Sequence, residues 1–201
     1  MKYFSKILSF QKLLKEYNLI YRDLASIHSK HDPDNDVEHS FRVAMLCWMI
    51  VEEYKLKLDV NKVIKYALLH DLVEVYTGDT SIYSDRKHED KVKAEHISFL
   101  KLIKKYPKQK SMWKLIEQYE KKKDEESKFV YIIEKLEPIL VVLVSEEDHW
   151  LKRNIDFERF LAVKQKKIKD IESFAQNFNK EIMSYLKNKK SKYFKKPNNV
   201  V

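Results

Sequence analysis

A single glycine, Gly78, in 201 residues is the feature that most restricts what this chain can fold into. Average usage near 7% would supply about 14. Tight hairpin turns and phosphate-cradling loops both draw on glycine for backbone angles that other residues resist. With one Gly and 4 Pro, the chain is expected to be all-α, a bundle of helices joined by polar turns. It also cannot carry a Walker A loop or a dinucleotide fingerprint, each of which needs several glycines. Any phosphate handled here is gripped by other means.

Hydrophobic residues make up 44% of the chain, with 12 Tyr, 10 Phe and 3 Trp. That supports one sizeable core, and the length suits one domain. We expect that domain over residues 1–186, followed by a Lys-rich flexible tail over 187–201. The net charge of +9 comes from 40 basic against 31 acidic residues. The arginines are Arg22, Arg42, Arg86, Arg153 and Arg159; the other basic residues are lysines. Base-specific nucleic-acid readers favour the bidentate arginine fork, so specific nucleic-acid binding is not expected. The excess reads as a solvated lysine surface whose field draws in anionic small molecules. The lone Cys47 excludes an internal disulfide, and its apolar surroundings (Val43 to Ile50) predict a buried thiol. The N-terminus lacks a signal-peptide core, and no run of about 18 apolar residues exists to span a membrane. A cytoplasmic location is the expectation.

Hydrophobic periodicity places an opening amphipathic helix over residues 4–16. Residues 25–36 read as a turn-rich loop, with Asp36 able to cap the helix that starts after it. From Val37 to about Leu56 a helix apolar on most sides is expected inside the domain. Residues 60–69 form a second inward helix ending at His70-Asp71. Residues 88–106 and 109–123 read as charged amphipathic helices. Over 127–150 the run Leu140 to Val144 has strand character by periodicity alone. The spacing of Phe129, Ile132, Ile133 and Leu136 favours a helix instead. Residues 156–187 read as one long closing helix.

The chemistry concentrates in His70-Asp71-Leu72-Val73-Glu74-Val75-Tyr76-Thr77-Gly78-Asp79. An imidazole beside a carboxylate can serve one divalent cation, of which Mn, Co, Zn and Mg are the candidates. Adjacent side chains on a straight helix point about 100° apart, so they converge only where the helix ends or bends. Glu74 falls on the face of the next turn, and Gly78 permits a change of direction that returns Asp79 toward the group. A His-Asp pair alone is weak: His31-Asp32-Pro33 repeats it and reads as a turn, and a buried histidine beside a capping aspartate would also explain the later copy. One helix upstream, however, Val37-Glu38-His39-Ser40 places another histidine at the start of the innermost helix.

Together these segments resemble the HD-domain phosphohydrolases, and Glu-His-Ser with His-Asp-x-x-Glu-x-x-x-Gly-Asp resembles their 5′-nucleotidase branch. The resemblance spans roughly residues 10–150. It implies an all-helical HD-domain bundle, commonly a homodimer, holding one divalent metal and releasing phosphate from nucleoside 5′-monophosphates. His39, His70 and Asp71 become metal ligands, and Glu74 and Asp79 the carboxylates that activate water and manage protons. Arg22 becomes a substrate-binding residue. The family's distal ligand is the Asp of Asp-Lys-Leu-Glu-Pro, whereas this chain has Glu134-Lys135-Leu136-Glu137-Pro138. Glu134 is thus the expected fourth ligand, one methylene longer, on a helix that Pro138 should kink. Ahead of Arg22 the family often has Arg and Gly-Trp; Glu16, Asn18 and Leu19 stand there, which leaves the choice between deoxyribose and ribose open. Two alternatives remain: hydrolysis of a triphosphate or cyclic nucleotide, and a non-catalytic nucleotide-binding module with a degenerate site. Intact Glu74 and Asp79 argue against the second.

Overall fold

Side-chain oxygens one residue ahead of an apolar repeat decide where the main helices begin. In a computed structural model, which describes residues 2–26, 29–83, 88–146 and 148–195, Asn35 caps α2 (Asp36–Glu53) by accepting from the backbone N–H groups of Val37 and Glu38. Asp59 caps α3 (Val60–Leu69) and Asp124 caps α6 (Glu125–Ser145) in the same manner. Each satisfies N–H groups that a helix start otherwise leaves without partners. Asp36, expected as the cap, lies inside the first turn, and its carboxylate is freed to pair with Arg22.

Around these run α1 (Lys2–Tyr17), α4 (His88–Lys105), α5 (Lys110–Lys121), the short α7 (His149–Lys152), α8 (Phe157–Ile168), α9 (Gln176–Asn188) and the short α10 (Lys190–Tyr193). Among the described residues the architecture is all-α but for one hairpin. Strands β1 (Tyr21–Ser26) and β2 (Ser29–Asn35) pair antiparallel, with Tyr21 opposite Asn35 and Ala25 opposite Pro33. The loop expected over 25–36 is therefore mostly strand, and His31-Asp32 lies within β2. Polar residues concealed it, because a two-stranded ribbon with free edges tolerates Pro and needs no apolar alternation. Residues 27 and 28 lie outside the described residues.

Two apolar clusters share the interior. One joins α2, α3, α6, α8 and α9 through Val43, Cys47, Val63, Phe129, Ile132, Leu136 and Phe160. The other joins α1, α4, α5 and a 3₁₀ turn (Leu72–Tyr76) through Leu13, Leu72, Val73, Leu102 and Trp113. His70 and Asp71 sit where the chain crosses from the first cluster to the second. Cys47 is fully buried, as its surroundings predicted. The segment of uncertain type is helical: α6 carries the Leu140–Val144 run and continues through Pro138.

Three further expectations need correction. The face of α2 formed by Phe41, Met45 and Trp48 is exposed; Val43, Ala44, Cys47, Ile50 and Val51 make the buried side. The closing helix is broken into α8 and α9, and Gln176 Nε2 donates to the carbonyls of Ile168 and Ile171 at the break. Side-chain donation to those freed carbonyls makes the interruption tolerable.

The third correction concerns the tail. Residues 187–192 are exposed, but Tyr193 and Phe194 after them pack on the domain. Tyr193 and Phe194 are 3% and 2% exposed, and the Phe194 ring stacks on Trp150 at 4.9 Å. Residues 196–201 lie outside the described residues. Truncation after Leu186, which a flexible tail would tolerate, should remove two aromatic side chains worth about 1.5–3 kcal/mol each in burial. A fall in thermal midpoint of several degrees is the expected result. A midpoint equal to that of the full chain would show that this packing contributes nothing. No described helix is long and apolar enough to cross a membrane.

Candidate metal centre

The termination of α3 makes the site. His70 closes the helix, and Asp71 (φ −101°, ψ 4°) turns the backbone into the 3₁₀ segment. This is the bend that neighbouring side chains need in order to converge. His70 Nε2 lies 3.1 Å from Asp71 Oδ2, and His39 Nε2, from the first turn of α2, lies 3.9 Å from the same oxygen. Ligand atoms of His39, His70 and Asp71 lie within 4.8 Å of one another. Gly78 adopts φ 72° and its N–H returns to the Glu74 carbonyl at 2.7 Å. The glycine thus supplies the left-handed residue that closes this turn.

Hydrogen bonds fix which imidazole nitrogens are free. His39 Nδ1 lies 2.6 Å from Glu137 Oε2. Burial would raise the Glu137 carboxyl, but His39 and Arg42 hold it down at about 2, so it accepts and Nδ1 must carry the proton. His70 Nδ1 meets the Ala67 carbonyl at 2.7 Å, which can only accept. Nε2 is therefore the atom each ring can give to an ion, and both Nε2 atoms are buried without a hydrogen-bond partner. Asp36 Oδ2 and Glu74 Oε2 are buried and unpartnered as well. Four unsatisfied acceptors close to Asp71 are costly unless something positive joins them. Burial lowers the His70 pKa, but Asp71 and Glu134 outweigh it and raise it to about 9, so without an ion a proton on Nε2 takes the place a metal would fill beside Asp71. Nitrogen and oxygen donors with outer carboxylate and carbonyl partners suit a divalent ion.

The neighbouring charges are equally constrained. Arg22 Nη1, on β1, bridges Asp36 Oδ1 at 2.9 Å and Asp71 Oδ2 at 3.0 Å. Glu74 Oε1 pairs with Lys91 Nζ of α4 at 3.1 Å. Burial and the Asp71 charge raise the Glu74 pKa well above the usual carboxylate range, against the pull of Lys91. Burial and Asp71 likewise push Asp36 up to about 7. Asp36, Asp71 and Glu74 form a second group of ligand atoms within 4.8 Å.

A cleft beside the centre is lined by Arg22, Asp71, Glu74, Asp79, Lys91, Glu134 and Lys164, with Ile139, Val142 and Trp150 on an apolar side. Of the expected residues, the fold brings His39, His70 and Asp71 into one cluster, sets Glu74 and Arg22 against Asp71, and places Asp79 in the cleft wall. Glu134 belongs to neither ligand group. Its Oε1 accepts from Tyr119 at 3.1 Å and its Oε2 pairs with Lys135 at 2.8 Å.

Four participants went unread in the sequence: Asp36, Lys91, Glu137 and Lys164. Glu137 carried a usable signal, being in the stretch with Glu134, three residues on and so on the same helix face. It also receives the guanidinium of Arg42, itself anchored on buried Asp34. Glu137→Gln would remove the charge that orients the His39 ring, and a 10–100-fold loss of metal affinity is expected. Unchanged affinity in a metal titration would refute that role.

A His/His/Asp cluster with both imidazoles buried, at a helix break and open to a charged cleft, defines a helical domain built for a divalent metal. Residues 19–175 match the HD domain family, and the chain belongs to it. The chain is 26% identical over 136 residues to 5′-deoxynucleotidase HDDC2 of Bos taurus, covering 67% of this chain and 65% of that protein, just under two thirds of its length. It is 29% identical over 143 residues to the HDDC2 protein of Xenopus laevis, covering 70% of each. A crystal structure described as a predicted metal-dependent phosphohydrolase from Magnetospirillum magnetotacticum superposes with a TM-score of 0.73 at 21% identity, covering 96% of this chain and 98% of that one.

Proposed function

We propose that the protein is a metal-dependent phosphohydrolase that converts a nucleoside 5′-monophosphate, most suitably a deoxynucleoside one, to nucleoside and inorganic phosphate. The observation that carries this reading is the pair of buried, unpartnered Nε2 atoms facing the Asp71 carboxylate beside buried Glu74. The names of the HDDC2 relatives support the substrate class.

On this reading His39, His70 and Asp71 hold the ion. Glu134 is the candidate fourth ligand, exchanging its contacts with Tyr119 and Lys135 for the metal. A divalent ion there supplies activation of water and polarisation of a phosphoryl oxygen. Glu74 takes a proton from the attacking water, a role open to a carboxylate beside the ion. As the water oxygen bonds to phosphorus, the ester P–O bond breaks and the nucleoside oxygen leaves with a proton. Asp79, in the cleft wall, is assigned to that proton traffic. Arg22 turns from Asp71 toward the phosphate and neutralises it.

A panel of nucleoside mono-, tri- and cyclic phosphates, assayed for phosphate release with Mn, Co, Mg or Zn, tests the reading. Release from 5′-monophosphates alone is expected; preference for a triphosphate or cyclic substrate would overturn it. We also infer a cytoplasmic homodimer. Exposed Phe41, Met45, Trp48 and Met49 on α2 form the kind of apolar stripe that self-association covers.

A further inference from the structure

Lys164, on α8, is the exception among the cations of the cleft. Arg22 is paired with Asp36 and Asp71, Lys91 with Glu74 and Glu95, and Lys135 with Glu134. Lys164 is only 5% exposed, yet among the described residues no carboxylate pairs with it. Its one hydrogen bond runs from Nζ to the Lys135 carbonyl at 2.7 Å. An ammonium has three N–H donors, so two remain without a protein partner in a wall of the cleft that also holds Arg22, Asp71 and Glu74.

A buried, unpaired ammonium is costly, and an anion that meets it relieves that cost. We propose that Lys164 binds the phosphoryl group of the substrate, donating to an oxygen that the metal and Arg22 leave free. The inference rests on the phosphohydrolase reading for the identity of that substrate, but the anion site itself does not. Burial and the nearby Lys135 charge draw the Lys164 pKa down to about 7, and an entering phosphate would reverse that pull. The opposing account is structural. Pro138 has no N–H to serve the carbonyl one turn earlier, and Lys164 would simply tie the interrupted stretch of α6 to α8.

The two accounts separate with inorganic phosphate as the probe, titrated calorimetrically into the full-length, metal-loaded protein. Lys164→Met is expected to weaken phosphate binding by about 10–100-fold, the range for loss of a charge-assisted hydrogen bond, at unchanged metal content. Lys164→Gln keeps an amide donor for the Lys135 carbonyl while removing the charge, and is expected to weaken phosphate comparably with little change in thermal midpoint. Lys164→Arg should recover part of the affinity. Phosphate binding equal to wild type in the Gln variant, or no saturable binding by wild type, overturns the proposal. Loss of metal and stability in both neutral variants, with phosphate affinity following the metal, overturns it in favour of the structural role. If wild type hydrolyses no nucleotide yet binds phosphate through Lys164, the function reading fails and the anion site stands.

Discussion

Replacement of His70 or Asp71 by Ala is expected to strip the metal and abolish phosphate release. Each side chain presents a ligand atom to the same small volume: His70 Nε2 and Asp71 Oδ2 are 3.1 Å apart, and His39 Nε2 completes the group. Losing an outer partner of a ligand typically lowers affinity by about 10–100-fold, and loss of the ligand itself should exceed that. Exhaustive chelation of wild type should have the same effect on activity, with recovery on adding Mn, Co or Mg. Elemental analysis of the purified variants, run beside the phosphate assay, provides the check. Full activity after chelation would remove the ion from the mechanism. In the same titrations Glu134→Asp distinguishes direct ligation from an outer role. A direct ligand fitted to Glu should bind metal more weakly when shortened. Affinity equal to wild type would leave Glu134 with Tyr119 and Lys135, where the fold already satisfies it.

Glu74→Gln should behave differently, retaining metal while turnover falls by 100-fold or more. The amide keeps the shape of the side chain but cannot accept a proton, and positioned acid–base groups typically contribute 10²–10⁴-fold. The experiment also decides between the two ligand groups. If the ion sits among Asp36, Asp71 and Glu74, Glu74→Gln will cost metal along with activity, and proton transfer must be assigned elsewhere. Retention of metal supports the His39, His70 and Asp71 arrangement, in which both free imidazole nitrogens are used.

The order of the main helices and the candidate ligands were legible because both depend on local pattern. Scarce glycine pointed to helices, apolar periodicity located α2 to α6, and His39 with His70-Asp71 lay at helix ends where side chains can converge. Val37, Phe41, Ala44, Met45 and Trp48 marked one apolar face of α2 and Val43, Leu46 and Ile50 a second. Periodicity does not say which residues a partner covers, and Ala44 went to the buried side while Phe41, Met45 and Trp48 stayed exposed. The hairpin was hidden because its stability lies in backbone pairing between β1 and β2, which polar side chains do not advertise. The break between α8 and α9 depends on Gln176 reaching carbonyls from outside the repeat, and the ordering of Tyr193 and Phe194 on Trp150, a distant aromatic.

What the sequence determined by itself was therefore the helical class, the candidate donor set and the turn at Gly78, all matters of residue type and short spacing. Only the tertiary structure decided the charges around that set. Asp36 became a buried partner of Arg22 instead of a cap. Glu137 became the acceptor that fixes the His39 tautomer, and Lys91 the counter-charge of Glu74. Lys164, one among 40 basic residues, was enclosed without a carboxylate. The reason is physical: a carboxylate or ammonium has the same identity at the surface and in the interior. Its function there is set by desolvation and by partners brought from other helices, and neither is encoded in any local run of residues.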